Sequence, residues 1–230
     1  MAGKGHRPLN GRGEGFNVRG RVGTAGSLVE RSALLVRVGP WCGLVAAFSF
    51  LAFFLTATLL DPMWRMGGMW LSDLGVRQAA WAFNTGCVLA GLLIIPFALS
   101  APHLFHRGPL TWAGAAFFML AGVFLVGVGV FTEHFGVIHG IVSFGFFGSL
   151  LLGWILMALP MHRTPAFGGY GGFLNLGALG VTFGSMALFN AFTVEAIVVL
   201  VAVYWGIITA GLLLPRGAGT PAGIGDASAP

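Results

Sequence analysis

The sequence predicts an all-α, polytopic integral membrane protein: a bundle of six transmembrane helices with both termini cytoplasmic. Three observations carry this. Apolar residues make up 57% of the 230-residue chain and charged residues only 8%, against roughly a quarter charged in an ordinary globular chain. The apolar residues gather into six runs, each near the roughly 20 residues that a helix needs to cross a bilayer core. The basic residues fall mostly on one side of those runs, as the positive-inside rule requires.

The chain opens with a basic Gly/Arg-rich tail, 1–37, expected to be disordered and cytoplasmic. No short apolar segment precedes a cleavage site and Ala2 follows the initiator methionine, so neither a signal peptide nor a myristoylation signal is expected. Lys4, Arg7, Arg12, Arg19 and Arg21 suit a weak contact with anionic lipid, although a topogenic role is the favoured account of them. The membrane domain is expected over 38–215. Its first span, 41–60, carries no charge. The second, 79–99, carries Asn84 and is expected to end near Pro96. The third covers 110–131, and the fourth, 135–159, has His139 near its start. The fifth, 173–192, is diluted by Asn175, Gly177, Gly180, Gly184 and Ser185. The sixth, 193–214, has Glu195 in its first turn. A Gly/Ala/Pro tail, 216–230, is expected to be disordered. Continuous apolar runs without period-2 alternation rule out a β-barrel.

Ten of the twelve Lys and Arg residues lie in the tails and in the loops at 100–109 and 160–172; only Arg65 and Arg77 lie on the other side. Asp61, Asp73, Glu133 and Glu195 share that other side. This is a membrane-orientation pattern rather than a groove for phosphates, so nucleic acid is not an expected partner. Lys4 is the only lysine, which excludes a retinal Schiff base within the membrane. Cys42 and Cys87 fall at depths about 15 Å apart on 1.5 Å per residue, too far for a disulfide. Two inward turns rhyme, His106-Arg107-Gly108-Pro109 and His162-Arg163-Thr164-Pro165. They suit a paired site for lipid phosphate, but proline near a helix start and arginine in an inside loop are ordinary on their own.

The middle of the membrane is nearly free of ionisable groups, which argues against proton-coupled transport. The outer face instead collects four acids, two arginines, His134 and His139, with Ser72, Asn84 and Asn190 nearby. The loop at 61–77, with Trp64, Met66, Met69, Trp70 and Leu71, is expected to lie against the membrane surface. Ser72-Asp73, Thr132-Glu133 and Thr193 with Glu195 are natural caps and turns, and Arg65 and Arg77 neutralise neighbouring acids. Asn84 and His139 are less ordinary, because polar side chains inside the leaflet face a partner helix or a cavity. His134 and His139 stand about 140° apart on a helix, unlike an i, i+4 zinc pair. No metal and no cofactor is expected, and His139 has no intramembrane partner for haem.

The segments 71–76 (Leu-Ser-Asp-Leu-Gly-Val), Trp81-Ala82-Phe83-Asn84 and Val88-Leu89-Ala90-Gly91 resemble the membrane family called domain of unknown function 998. Val126 to Glu133, then His139-Gly140 and Phe144-Gly145-Phe146-Phe147, resemble it too, although Thr132 stands where the family commonly has proline. The likeness covers about residues 40–214. It implies six helices without an established chemistry, and it singles out Ser72, Asp73, Asn84, Glu133 and His139.

Those five residues are the candidate ligand-binding set. In the first of three readings they bind a lipid head group or small amphiphile at an outer-face pocket. In the second the chain is a lipid-modifying hydrolase or transferase, with His139 as base, Glu133 or Asp73 orienting it and Ser72 as nucleophile, although no Gly-x-Ser-x-Gly elbow is present. In the third it is a non-catalytic accessory subunit of a larger membrane complex. Whether it is an enzyme stays open. Membrane lipids are the expected partners, a homo-oligomer or larger assembly fits as well, and the cell membrane is the expected location. Gly136/Gly140 and Gly180/Gly184 are expected to be close-packed helix faces.

Overall fold

The computed structural model describes residues 18–214, with side chains from residue 33 onward. It consists of six helices: α1 Val18–Leu60, α2 Ala80–Leu104, α3 Pro109–Val130, α4 Val137–His162, α5 Gly171–Leu188 and α6 Ala191–Leu213. All six hold a segment long and apolar enough to cross a membrane, which in α1 is Ala33–Leu60. The chain is therefore a multi-pass membrane protein. Residues 1–17 and 215–230 of the expected tails lie outside the described residues. No backbone break marks the expected boundary at 38, since α1 continues amino-terminally to Val18.

The elements follow local chemistry with a few shifted ends. Helix α2 does not stop at Pro96 but runs through Pro96 and Pro102 to Leu104. Helices in lipid tolerate proline because neighbouring helices can satisfy the freed backbone groups. Helix α3 starts with Pro109, where the missing N–H costs nothing. Helix α5 is the shortest span at 18 residues and the least apolar, with mean hydropathy 1.3. At 1.5 Å per residue it reaches about 27 Å, just enough for the hydrocarbon core. It ends at Leu188 rather than 192, because Asn190 caps α6: its Oδ1 accepts from the Thr193 N–H at 2.9 Å.

Each helix packs on the next, and α1 also packs on α6, so the bundle closes on itself. The loops sort into two ends. At the first, which we call the Asp61 end, the Leu71 N–H donates to Glu195 and the Asn190 side chain donates to the Gly67 carbonyl. At the second, the Arg107 end, the His106 N–H donates to the Thr164 hydroxyl. The outward surface is apolar, with Trp112, Phe144, Tyr170 and Leu188 all well exposed. A surface of this kind belongs in lipid.

Two packing expectations need correction. A Cβ on Gly136, Gly140, Gly180 or Gly184 would meet nothing within 4 Å, so these are not the close-packed faces. The close approach is Gly91 to Gly122: a Cβ on Gly91 would stand 2.5 Å from the Gly122 carbonyl oxygen, and one on Gly122 2.8 Å from that of Gly91. The backbones of α2 and α3 meet there because neither residue has a side chain. Likewise, the 61–79 loop is not wholly laid out on the membrane surface. Leu71, Leu74 and Trp64 are buried in the bundle end, while Met63 and Met66 stay exposed. Trp64 packs edge-on against Phe54 of α1 and donates its indole N–H to the Trp70 carbonyl at 2.8 Å. Burying these side chains against helix ends satisfies their polar atoms and removes their apolar area from water.

Candidate functional site

The Asp61 end is organised by the loop between α1 and α2. Asp61 and Arg77 close it. The Arg77 Nε donates to Asp61 Oδ2 at 2.7 Å and a second guanidinium nitrogen donates to Oδ1 at 3.2 Å, with Asp61 only 2% exposed. Hydrogen bonding from Arg77 holds the Asp61 carboxyl below its ordinary range, and Asp61 in turn raises Arg77. Within this clasp, Ser72–Gly75 forms a single 3-10 turn. Asp73 Oδ2 accepts from the Trp70 N–H at 2.8 Å, which fixes the turn's entry.

Asn84 holds the other side of that turn. Its Nδ2 donates to the Gly75 carbonyl at 2.9 Å. A Cβ on Gly75 would stand 2.6 Å from Asn84 Oδ1, so glycine is needed for the turn to seat on α2. The Ser-Asp-Leu-Gly and Phe-Asn segments are thus two halves of one joint. Asn84 Oδ1 itself is buried and accepts nothing among the described residues.

Glu133 opens a second 3-10 turn, Glu133–Phe135, which lies beside the first. The His139 Nδ1 pairs with the Phe131 carbonyl at 2.7 Å, and its Nε2 stands 3.3 Å from the Ser143 hydroxyl. No hydrogen bond joins any two of Ser72, Asp73, Asn84, Glu133 and His139 among the described residues. Glu195, one turn into α6, ties that helix to the Ser72 turn. Its Oε2 accepts from the Leu71 N–H at 2.8 Å, beside Ser72.

Glu195, Ser72 and Ser143 are also the polar part of the wall of a cavity of about 120 Å³ inside the bundle. The remaining wall is apolar and comes from α1, α2, α3, α4 and α6, including Phe50, Phe97, Phe118, Leu125 and Trp205. Helix α5 does not reach it. Phe118 and Trp205 meet with ring centroids 4.9 Å apart. Asp73, Asn84, Glu133 and His139 are not on the cavity wall; Asp73, Asn84 and His139 instead hold backbone groups of the adjoining turns. Among the described residues, no three His, Cys, Asp or Glu side chains come together as a metal site.

The sequence reading missed Glu195 and Ser143 as site residues. Glu195 reads as a first-turn acid at a helix start, where a carboxylate is ordinary, so nothing local sets it apart. Ser143 follows His139 by four residues on one helix face, a spacing that was legible. The apolar cavity itself depends on tertiary packing and had no signal.

No curated protein and no solved structure matches the chain. The family described as Protein of unknown function (DUF998) matches residues 44–221, which include all six helices' cores and every residue of the site above. The chain belongs to that family.

Proposed function

We propose that the protein binds a lipid or other small amphiphile within the bundle, its chain in the apolar cavity and its head at the Asp61 end. The observation that carries this is the wall: apolar side chains from five helices, with Glu195, Ser72 and Ser143 as its polar members. An apolar body with one polar end matches such a lining. The carboxyl group of Glu195 on that wall suits a head that hydrogen-bonds to it. Asn84 and His139 serve the site by fixing the Ser72–Gly75 turn and the start of α4. The distribution of basic residues supports placing both termini in the cytoplasm and the Asp61 end outside, in the cell membrane.

The test is native mass spectrometry of the purified full chain with co-purified amphiphile. Wild type is expected to retain a bound species. Ala202→Phe, which fills the cavity from α6, is expected to lose it, and Glu195→Gln to change which head group is retained. Equal retention of the same species by all three proteins contradicts the proposal and favours a polar end that is merely an interface with other subunits.

A second, catalytic reading has one specific observation behind it. With its Nδ1 proton donated to the Phe131 carbonyl, His139 presents Nε2 toward the Ser143 hydroxyl, and Ser143 is on the cavity wall. That is the order of orienting acceptor, base and nucleophile that esterases use. Ser143 replaces Ser72 as the nucleophile, since Ser72 has no contact with His139. Covalent labelling by a lipid-tailed fluorophosphonate that disappears in Ser143→Ala separates catalysis from binding.

A further inference from the structure

The Arg107 end holds a second pocket, of about 270 Å³, and it is basic. Its wall joins His106, Arg107 and Gly108 of the α2–α3 turn to Leu159, Pro160 and Arg163 of α4 and its end. The two turns that rhyme in sequence therefore share one pocket. They are locked together: the His106 N–H donates to Thr164 Oγ1 at 2.9 Å, and the Thr164 hydroxyl donates to the Pro160 carbonyl at 2.8 Å. Phe105 stacks on Phe167 beneath them, with ring centroids 5.9 Å apart. The Thr111 hydroxyl donates to the His106 carbonyl and ties the turn to α3.

Among the described residues this positive charge has no ion-pair partner, and the one ion pair is Arg77–Asp61, at the opposite end. The four acids whose side chains are described, Asp61, Asp73, Glu133 and Glu195, are all at that end too. The pocket also sits at the amino terminus of α3, a 22-residue helix whose dipole adds positive potential there. Two guanidinium groups offer planar forks of donors that fit phosphate oxygens. Beside them, Leu110 and Leu159 line the same pocket and are 39% and 42% exposed, with Trp112 at 63%. An anion bound there would have exposed apolar side chains beside it.

We propose that this pocket is a phosphate-binding site, held by Arg107 and Arg163 with His106, and that it takes the phosphate of an anionic lipid head group or free phosphate from solution. Diffuse basic charge at one membrane face explains the presence of arginines but not their convergence on one pocket. Arg37 gives the comparison. It is an exposed arginine on α1 near the same end, since neighbouring Gly39 packs on Ser100 of α2, and it does not line the pocket.

The experiment uses the full chain in detergent with equimolar phosphatidylglycerol and phosphatidylcholine, and native mass spectrometry reads bound lipid. Wild type is expected to prefer phosphatidylglycerol. Arg107→Gln and Arg163→Gln are each expected to weaken that preference about tenfold, as loss of a charge-assisted hydrogen bond does. Arg37→Gln should leave it within about twofold. A second arm follows the thermal midpoint of wild type in inorganic phosphate against chloride at matched ionic strength, and does not depend on any variant folding. Lipid preference without a phosphate shift assigns the head group; a phosphate shift without lipid preference assigns free phosphate. Neither response in wild type, or equal losses in all three variants, overturns the proposal. Cavity occupancy at the Asp61 end is unaffected by these substitutions, so the two sites succeed or fail separately.

Discussion

Asn84 shows how a residue can be legible in a sequence while its task is not. An amide inside an apolar span must find partners or face a cavity, and that cost marked it at once. The structure gives its Nδ2 to the Gly75 carbonyl, so the amide builds the site's support rather than its wall. Glu195 went the other way: it reads as an ordinary first-turn acid, and only the folded chain brings the Leu71 N–H to it. Arg77 was expected only to neutralise a neighbouring acid; its partner is Asp61, 16 residues back, and the pair closes the α1–α2 loop at its two ends. Its pH dependence has a definite sign. A carboxyl whose folded pKa is depressed stabilises the fold above its unfolded pKa, near about 4, and loses that stabilisation as pH falls through the folded value. Asp61→Asn should therefore lower the thermal midpoint by a constant amount from pH 8 to 5, with the gap to wild type closing below about pH 4. A gap that instead opens or closes near neutrality would place the effect on another group.

At the scale of the elements, composition and run length located all six spans, because crossing lipid demands both apolarity and an internally satisfied backbone. Ends were less legible. Pro96 signals a stop in water but not among packed helices, and Asn190 takes the cap that Thr193 and Glu195 were expected to supply. Glycine faces were the weakest reading, since a row of glycines has the same spacing whether it meets a neighbour or lipid. Only the fold separates Gly91 and Gly122, in backbone contact, from Gly180, which is open. Gly91→Ala should cost about 1–3 kcal/mol by forcing α2 and α3 apart. Gly180→Ala should change stability by no more than about 0.5 kcal/mol. Unfolding midpoints in detergent compare them directly, and similar losses in both would show that the α2–α3 contact is not set by those glycines.

For the whole molecule, charge distribution marked the end of the bundle where the four acids lie with His134 and His139, and the structure adds a cavity walled in part by one of those acids, Glu195. Ring closure of α1 on α6, with α5 set outside the lining, creates that space. No local pattern encodes it, because its walls come from five helices whose inward faces read as ordinary core. Packing of α3 on α4 brings the two basic turns together at the opposite end, leaving a molecule with its described acids at one end and a basic pocket at the other. The central claim is that an apolar chain occupies the cavity. Photo-crosslinking with an amphiphile carrying a diazirine in its tail addresses it most directly, with adducts mapped by peptide mass spectrometry. Adducts are expected on the cavity wall, at Phe118, Leu125 and Trp205, and should fade in Ala202→Phe. Adducts confined to outward residues such as Trp112 and Phe144, and unchanged in that variant, would contradict it.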